Sequence, residues 1–174
     1  MGKSRQCAES CVDYLALELV HHYRTQLQGP SLQAALDAVG ERAGRQLAER
    51  CARDRAPLLE QLEAVKFICK EFWGEVFRKA VDNLRTNHRG TFVLRDTQFR
   101  WLVRLSQNQM PAQLGQPLPA PAAKADLAAD FLLLPCALVR GALAQLGWDA
   151  AVTADAASLP QVDFTVVMRQ QVQR

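Results

Sequence analysis

Residues 65–90 of the chain read VKFICKEFWGEVFRKAVDNLRTNHRG. The first part of this stretch carries apolar side chains three or four positions apart, the spacing of one face of an α-helix. With the residues just before it, the pattern predicts a helix over residues 57–78. Ile68 and Trp73 widen its apolar stripe, so we expect burial on more than one side. After Asn83 the apolar period changes to two, which is typical of strands.

Two further helices are predicted upstream, over residues 8–28 and 31–53, with Gly29-Pro30 between them. Gly40 and Gly44 are four positions apart and therefore share one face of the second helix. The missing side chains let another backbone approach closely there, so we interpret the pair as a packing feature.

Downstream, residues 91–95 and 98–105 alternate apolar and polar side chains around Asp96-Thr97, which predicts a β-hairpin. A fourth helix is predicted over residues 124–146, with a kink or a restart at Pro135. Two more strands follow, over residues 148–154 and 162–169. The fold class is therefore α+β, an antiparallel sheet of about four strands with helices packed on it.

The length of 174 residues and the hydrophobic content of 49% fit one domain with one core, covering residues 1–174. A Pro-rich segment over residues 106–124 is expected to be an exposed loop within that domain. Five cysteines without a CxxC pair, and no apolar leader, indicate a reducing cytosolic compartment. The longest apolar run is too short to span a bilayer, and the net charge of +3 does not require an anionic partner.

The sequence argues against three kinds of chemical site. Cysteines and histidines on the first helix lack the spacing of a zinc site. Cys69 with His88 could form a nucleophile and base, but Cys69 lies in the most apolar stripe, where a thiol is unreactive. Arginines interleave with aromatic residues over residues 85–104, yet on a strand rings and charges would face opposite ways, which argues against nucleic acid. We therefore expect no catalytic residue, no metal, no cofactor and no nucleic acid partner.

A module that binds a small molecule or a lipid chain remains an alternative. The wide apolar stripes of the third and fourth helices could line a cavity, although the same residues serve equally well as a filled core.

The stretch quoted above closely resembles subunit 6 of TRAPP, the transport protein particle, a tethering complex of the early secretory pathway. The resemblance continues through Leu102 and returns in residues 40–54, 138–147 and 152–154. The matched residues are Phe67, Cys69, Phe72, Trp73, Asn83, Arg85, Thr86, Asn87, His88, Gly90, Arg140 and Gly141.

The resemblance implies an alpha-beta plait, with helices on one side of a twisted four-stranded antiparallel sheet. It also implies a non-catalytic subunit that pairs with TRAPP subunit 3, contacts other TRAPP subunits and supports nucleotide exchange on a Rab GTPase indirectly. Such a protein would be cytoplasmic and peripheral at the cis-Golgi and endoplasmic reticulum, acting in transport between them. By element position, the partner interface would include Leu15, Leu19, Leu36 and Val39.

Within the quoted stretch, core packing accounts for the apolar positions but not for the polar residues 85–88. They are predicted to form a passage from helix to strand, and they are the first place to look for a role beyond folding.

Overall fold

A computed structural model describes residues 8–106 and 121–169 of the chain. Of the Pro-rich loop predicted over residues 106–124, residues 107–120 lie outside the described residues. The prediction is wrong at both ends, because Ser106 belongs to a helix and residues 121–124 begin the next one. The elements follow in the order α1 (Glu9–Gln26), α2 (Gly29–Ala52), α3 (Gln61–Phe67), a π-helical turn (Ile68–Phe72), α4 (Trp73–Phe77), β1 (Asn83–Thr86), β2 (Thr91–Asp96), α5 (Arg100–Ser106), α6 (Pro121–Gln145), β3 (Ala150–Ser158) and β4 (Gln161–Met168).

The four strands form one antiparallel sheet in the order β1-β2-β4-β3. Side chains alternate between its faces, and on β2 and β4 one face is buried throughout. Phe92 and Leu94 belong to that buried face, together with Phe164 and Val166. The predicted α+β class, with helices on one side of a four-stranded antiparallel sheet, is confirmed.

The third predicted helix is present from Gln61, and its middle turn widens into the π-helical turn. A π-turn displaces backbone groups from the regular ladder, and here the carbonyl of Cys69 accepts a hydrogen bond of 2.9 Å from the backbone N–H of Val81. The segment ends at Arg78, in the left-handed conformation with φ of 61°. The hydrogen bond between Val81 and Cys69 therefore directs the chain from the helical segment back to the sheet.

The hairpin predicted from residues 91–95 and 98–105 is wrong in its second half. Residues 100–106 form α5, and the partner of β2 on that side is β1, in front of it in the chain. Asp96 and Thr97 do not make a hairpin turn, because the Asp96 carboxylate accepts the backbone N–H of Gln98 and ends the strand. Phe99, Trp101 and Leu102 are all buried, which a helix achieves and an alternating strand does not.

Residues 85–88 are also placed differently from the prediction. Arg85 and Thr86 lie in β1, and Asn87 and His88 belong to the turn that joins β1 to β2. They are therefore part of a hairpin and not a passage from helix to strand.

The predicted close approach at Gly40 and Gly44 is confirmed. A Cβ atom on Gly40 would overlap the side chain of Ala137, and one on Gly44 would overlap the backbone of Leu138. From the other side, a Cβ on Gly141 would overlap the backbone of Glu41. We call these contacts the α2–α6 seam. The helix α6 continues through Pro135 as one element, so the predicted restart does not occur.

The core lies between the sheet and the helices. At its centre Trp73, Phe77, Phe99 and Phe164 pack ring against ring, with centroids 4.6 to 6.2 Å apart. All four are at most 1% exposed, and a buried large side chain stabilises the fold by about 1.5–3 kcal/mol. Residues Asp126–Gln145 of α6 are long and apolar enough to cross a membrane, but 67% of this window is buried inside the protein, as in a core helix.

Candidate functional site

The outer face of α1 carries apolar side chains that the described residues do not cover. Val12 is 53% exposed and Leu15 is 70% exposed, and Leu19 is partly buried one turn further on. Positions 12, 15 and 19 are three and four apart, so they form one stripe along the helix. We call this the α1 stripe. An apolar row of this kind, on a helix that already has a buried face, is typical of a surface for another protein.

The stripe is held outward because the opposite face of α1 is firmly attached. Ala16, Leu17 and Val20 are buried in the core. Arg100 on α5 donates hydrogen bonds of 2.8 and 2.9 Å from Nε to the carboxylate of Asp13, which is itself 3% exposed. A turn of the helix that buried the stripe would break this ion pair and expose the inner residues. The predicted strand position of Arg100, pointing away from the protein on a basic surface, is wrong.

The four residues expected at a partner interface do not share one environment. Leu15 is exposed, and Leu19 and Val39 are partly buried. Leu36 is 0% exposed and lies in the core of the chain itself. A partner could therefore contact Leu15, Leu19 and Val39, whereas Leu36 is not accessible.

The two matched residues of α6 belong to the α2–α6 seam. Gly141 provides the close contact, and Arg140 lies between two carboxylates of α2, with Nη2 2.6 Å from Asp37 Oδ1 and Nε 2.7 Å from Glu41 Oε1. Burial alone would lower the pKa of Arg140, but the hydrogen bonds with Glu41 and Asp37 outweigh it and raise the pKa above its ordinary value. Arg140 is therefore a fixed cation that sets the register of the two helices.

The apolar matched residues build the core. Phe67, Phe72 and Trp73 are at most 1% exposed. Burial raises the pKa of the Cys69 thiol to about 12, so it is almost entirely protonated at neutral pH. His88 is exposed at the tip of the β1–β2 hairpin. A nucleophile needs a thiolate, and Cys69 does not supply one.

The polar matched residues shape the β1–β2 turn. The Asn87 side-chain oxygen accepts the backbone N–H groups of Arg89 and Thr91, at 2.8 and 3.0 Å, and Thr86 Oγ1 accepts that of His88 at 3.1 Å. His88 and Gly90 have positive φ, of 55° and 86°. Asn83 and Arg85 are exposed on β1. Turn geometry thus accounts for Thr86, Asn87 and Gly90, whereas Arg85 and His88 remain outward-facing polar groups.

A buried polar network connects α4 to the end of β2, and sequence reasoning missed it. The Asp96 carboxylate is 0% exposed and accepts hydrogen bonds from Trp73 Nε1 at 2.9 Å and Lys79 Nζ at 2.7 Å. Lys79 also donates to Asp82, at 2.8 Å. This bond, with those from Thr97, lowers the pKa of Asp82 to about 2. No short motif signals the network, because Trp73 and Asp96 are 23 positions apart.

Two grooves on the described surface are lined by charged residues. One, of about 410 Å³, lies beside α4 and α5 and includes Asp13, Lys79 and Arg100. The other, of about 440 Å³, lies between α2, α6 and β3. Most of the residues that line either groove are charged or polar, whereas a site for a lipid chain is lined mainly by apolar side chains. Among residues 8–106 and 121–169, no group of three or more His, Cys, Asp or Glu side chains could hold a metal ion.

The basic residues considered for nucleic acid do not form one platform. Arg95 on β2 makes two hydrogen bonds to Asp163 on β4, of 2.7 and 2.6 Å, and Arg100 is held by Asp13. The aromatic rings Phe99 and Trp101 are buried. A stacking surface needs exposed rings beside the cations.

Comparison with known proteins identifies the class of protein that carries this fold. Residues 12–172 match the model of the transport protein particle (TRAPP) component family. The chain therefore belongs to the TRAPP component family.

Within this family, the chain is similar in sequence to subunits of type 6. The chain is 38% identical over 135 residues to trafficking protein particle complex subunit 6B of Mus musculus, which covers 78% of this chain and 77% of the relative. It is 34% identical over 166 residues to trafficking protein particle complex subunit 6b of Danio rerio, and the aligned region covers 93% of this chain and 98% of the relative. Among solved structures, trafficking protein particle complex subunit 3 of Naegleria fowleri, covalently bound to palmitic acid, has the same fold, with a TM-score of 0.70, 14% identity and coverage of 96% and 100%.

Proposed function

We propose that this chain is a non-catalytic subunit of a TRAPP assembly that pairs with a partner of the subunit 3 type through α1 and α2. The observation that carries the proposal is the α1 stripe, with Leu15 70% exposed on a helix whose inner face is already anchored in the core. Val39 on α2 would extend the same interface. The proposal needs no cofactor, since the role is to complete an assembly.

The wider role rests on family membership. TRAPP subunits act together in vesicle trafficking, so the heterodimer would contribute a surface to the complex and support nucleotide exchange on a Rab GTPase without contacting the nucleotide. The chain would be cytoplasmic, peripheral at the cis-Golgi and endoplasmic reticulum through its complex.

Co-expression with a subunit 3 protein, followed by size-exclusion chromatography, tests the pairing. We expect one peak that contains both chains in equal amounts. Separate elution at micromolar concentration would refute the proposed heterodimer.

Substitutions then locate the interface. Leu15→Asp should weaken the pairing by at least about 100-fold, because it removes about 2 kcal/mol or more of apolar burial and places a charge in the interface. Its circular dichroism should remain helical, since Leu15 is 70% exposed in the free chain. Leu19→Asp should act in the same direction.

Leu59→Asp is the matched control. Leu59 is 80% exposed and lies in the connection between α2 and α3, outside the proposed interface. If Leu59→Asp weakens the pairing as much as Leu15→Asp does, the interface is not on the α1 stripe.

A further inference from the structure

The strand β3 forms one edge of the sheet, and its register shows which of its backbone groups are unpaired. The backbone N–H of Arg169 donates to the carbonyl of Asp149 at 2.9 Å, and the ladder continues with Ala151 opposite Val167 and Thr153 opposite Thr165. In an antiparallel ladder hydrogen-bonded pairs alternate with pairs that are not bonded to each other. The odd-numbered residues of β3 therefore bond to β4.

The even-numbered residues Ala150, Val152 and Ala154 consequently direct their N–H and C=O groups away from β4. Within residues 8–106 and 121–169, no other strand pairs with this edge. Their side chains face the core, with Ala150 3% and Val152 5% exposed. The regular register with β4 is interrupted between Asp155 and Ser158.

This edge is also poorly defended. Proteins usually protect free edges with Lys, Pro, an inward-pointing charge or a bulge, and on β3 the register shift lies beyond Ala154. The segment Ala150–Ala154 reads AAVTA and has none of these. An open row of three donors and three acceptors is a template for another extended chain.

A groove of about 440 Å³ runs along the same edge. Its lining includes Ala150 to Thr153 on β3, Arg140 and Ala144 on α6, and Gln33, Glu41 and Arg45 on α2. A strand added beside β3 would place every second side chain toward the helices, into this groove. The unpaired edge and the groove therefore coincide in position.

Charge indicates the chemistry of such an added strand. Arg140 is neutralised by Asp37 and Glu41, and Arg169 lies 3.5 Å from Asp149. Arg45 is exposed, and no carboxylate lies within ion-pairing distance of it among the described residues. The three arginines at the groove are thus balanced in formal charge by Asp37, Glu41 and Asp149. Arg45 is the one of these arginines that makes no ion pair with a described carboxylate, so a Glu or Asp side chain would complement it locally.

We propose that the free edge of β3 binds an extended peptide segment of a partner protein, which adds as a fifth strand and directs an acidic side chain toward Arg45. A second copy of this chain is the weaker occupant. Pairing along Ala150–Ala154 would bury only a short strand on each side, well below the roughly 1,200 Å² of a stable dimer. The site is separate from the proposed heterodimer interface, since none of Leu15, Leu19 and Val39 lines the groove.

A random-peptide phage library, panned against the full-length chain with counter-selection on the Ala154→Pro variant, tests the proposal. The N–H of Ala154 points to the free edge, so proline removes no bond to β4 but blocks the edge. We expect peptides with alternating β-branched residues and one Glu or Asp. Their affinity should fall by about 30-fold for Ala154→Pro, the equivalent of two lost backbone hydrogen bonds, and by about 5-fold or more for Arg45→Gln. Val167→Thr, on the exposed face of β4 and outside the lining of the groove, is the control that should bind like the unsubstituted chain.

Methylation of the peptide amides separates strand addition from other modes and does not require the proline variant to fold. Two versions of a selected peptide would be compared, one methylated on its odd-numbered and one on its even-numbered backbone nitrogens. One version should lose binding and the other should keep it, because only alternate amides face β3. Equal binding of the two versions, or no peptide selected over the proline variant, would overturn the proposal. A dimer of this chain in sedimentation experiments that Ala154→Pro dissociates would assign the edge to a second copy and also overturn it.

Discussion

The substitution Gly141→Ala tests the α2–α6 seam directly. In an open helix this change stabilises a protein by up to about 1 kcal/mol, because alanine has the higher helix propensity. Here the added Cβ would overlap the carbonyl group and Cα of Glu41, which are backbone atoms and cannot rotate aside. Overpacking of this kind costs about 3 kcal/mol, at the upper end of the usual range.

The net expectation for Gly141→Ala is a loss of about 2 kcal/mol in the free energy of unfolding, or a melting temperature about 4–8 °C lower for a chain of this size. A shift of Glu41 would also disturb its 2.7 Å contact with Arg140, which adds to the loss. Urea denaturation and thermal unfolding followed by circular dichroism would measure both quantities.

Gly74 provides the control, because it lies in α4 and a Cβ there would meet nothing within 4 Å. Gly74→Ala should therefore stabilise the chain by about 0.5–1 kcal/mol. If Gly141→Ala were as stable as the unsubstituted protein, the close backbone contact between α2 and α6 would be refuted.

Three further outcomes concern the side chains of Asp96, Asp82 and Cys69. Asp96→Ala should destabilise the chain by about 2–3 kcal/mol in urea unfolding, because the buried Trp73 Nε1 loses its acceptor. Since the folded pKa of Asp82 is about 2 and the unfolded value 3.8, its contribution is present above about pH 4 and is lost as the pH falls toward 2. Asp82→Asn should thus flatten acid unfolding over that range. In the folded chain at pH 8, iodoacetamide should alkylate exposed Cys11 but not Cys69, as peptide mass spectrometry would show.

Each of these three predictions has an outcome that would contradict it. Unchanged stability of Asp96→Ala would mean that the Trp73 bond contributes nothing. An acid transition of the same steepness in Asp82→Asn would remove Asp82 as its source. Alkylation of Cys69 at the rate of Cys11 would show that its thiol is not buried.

The long amphipathic elements were predictable because their periods are plain. The helices α1, α2 and α6 and the strands β2 and β4 follow from apolar side chains at helical or alternating spacing. The paired glycines of α2 likewise predicted a close contact with another backbone, but they did not indicate that α6 is the partner. The predictions that failed concern segments whose residues fit either a helix or a strand.

The strand β1 and the helix α5 illustrate this limit. The sequence of β1, Asn-Leu-Arg-Thr, has a single apolar residue, and it is a strand because β2 and the Asn87 turn hold it at the sheet edge. The region of α5 has apolar residues at alternate positions that also fit a short helix, and the Asp96 side chain decides for the helix by bonding Gln98. Tertiary contacts override local pattern in both cases.

The candidate sites were predictable to a smaller extent. Exposed and buried leucines look alike in a helical pattern, so Leu36 was grouped with Leu15 although it lies in the core. The Trp73–Asp96 bond joins residues distant in sequence, and the open edge of β3 depends on the register with β4. Neither can be read before the strands are paired.

The α2–α6 seam also bears on how this chain would associate with other proteins. Because glycine brings the two backbones into contact and Arg140 holds Asp37 and Glu41, α2 cannot slide or rotate on α6. The surfaces that α2 presents are therefore set before any encounter. A partner that docks on them meets a shape that needs no ordering, so association loses little conformational entropy and selects partners by fit.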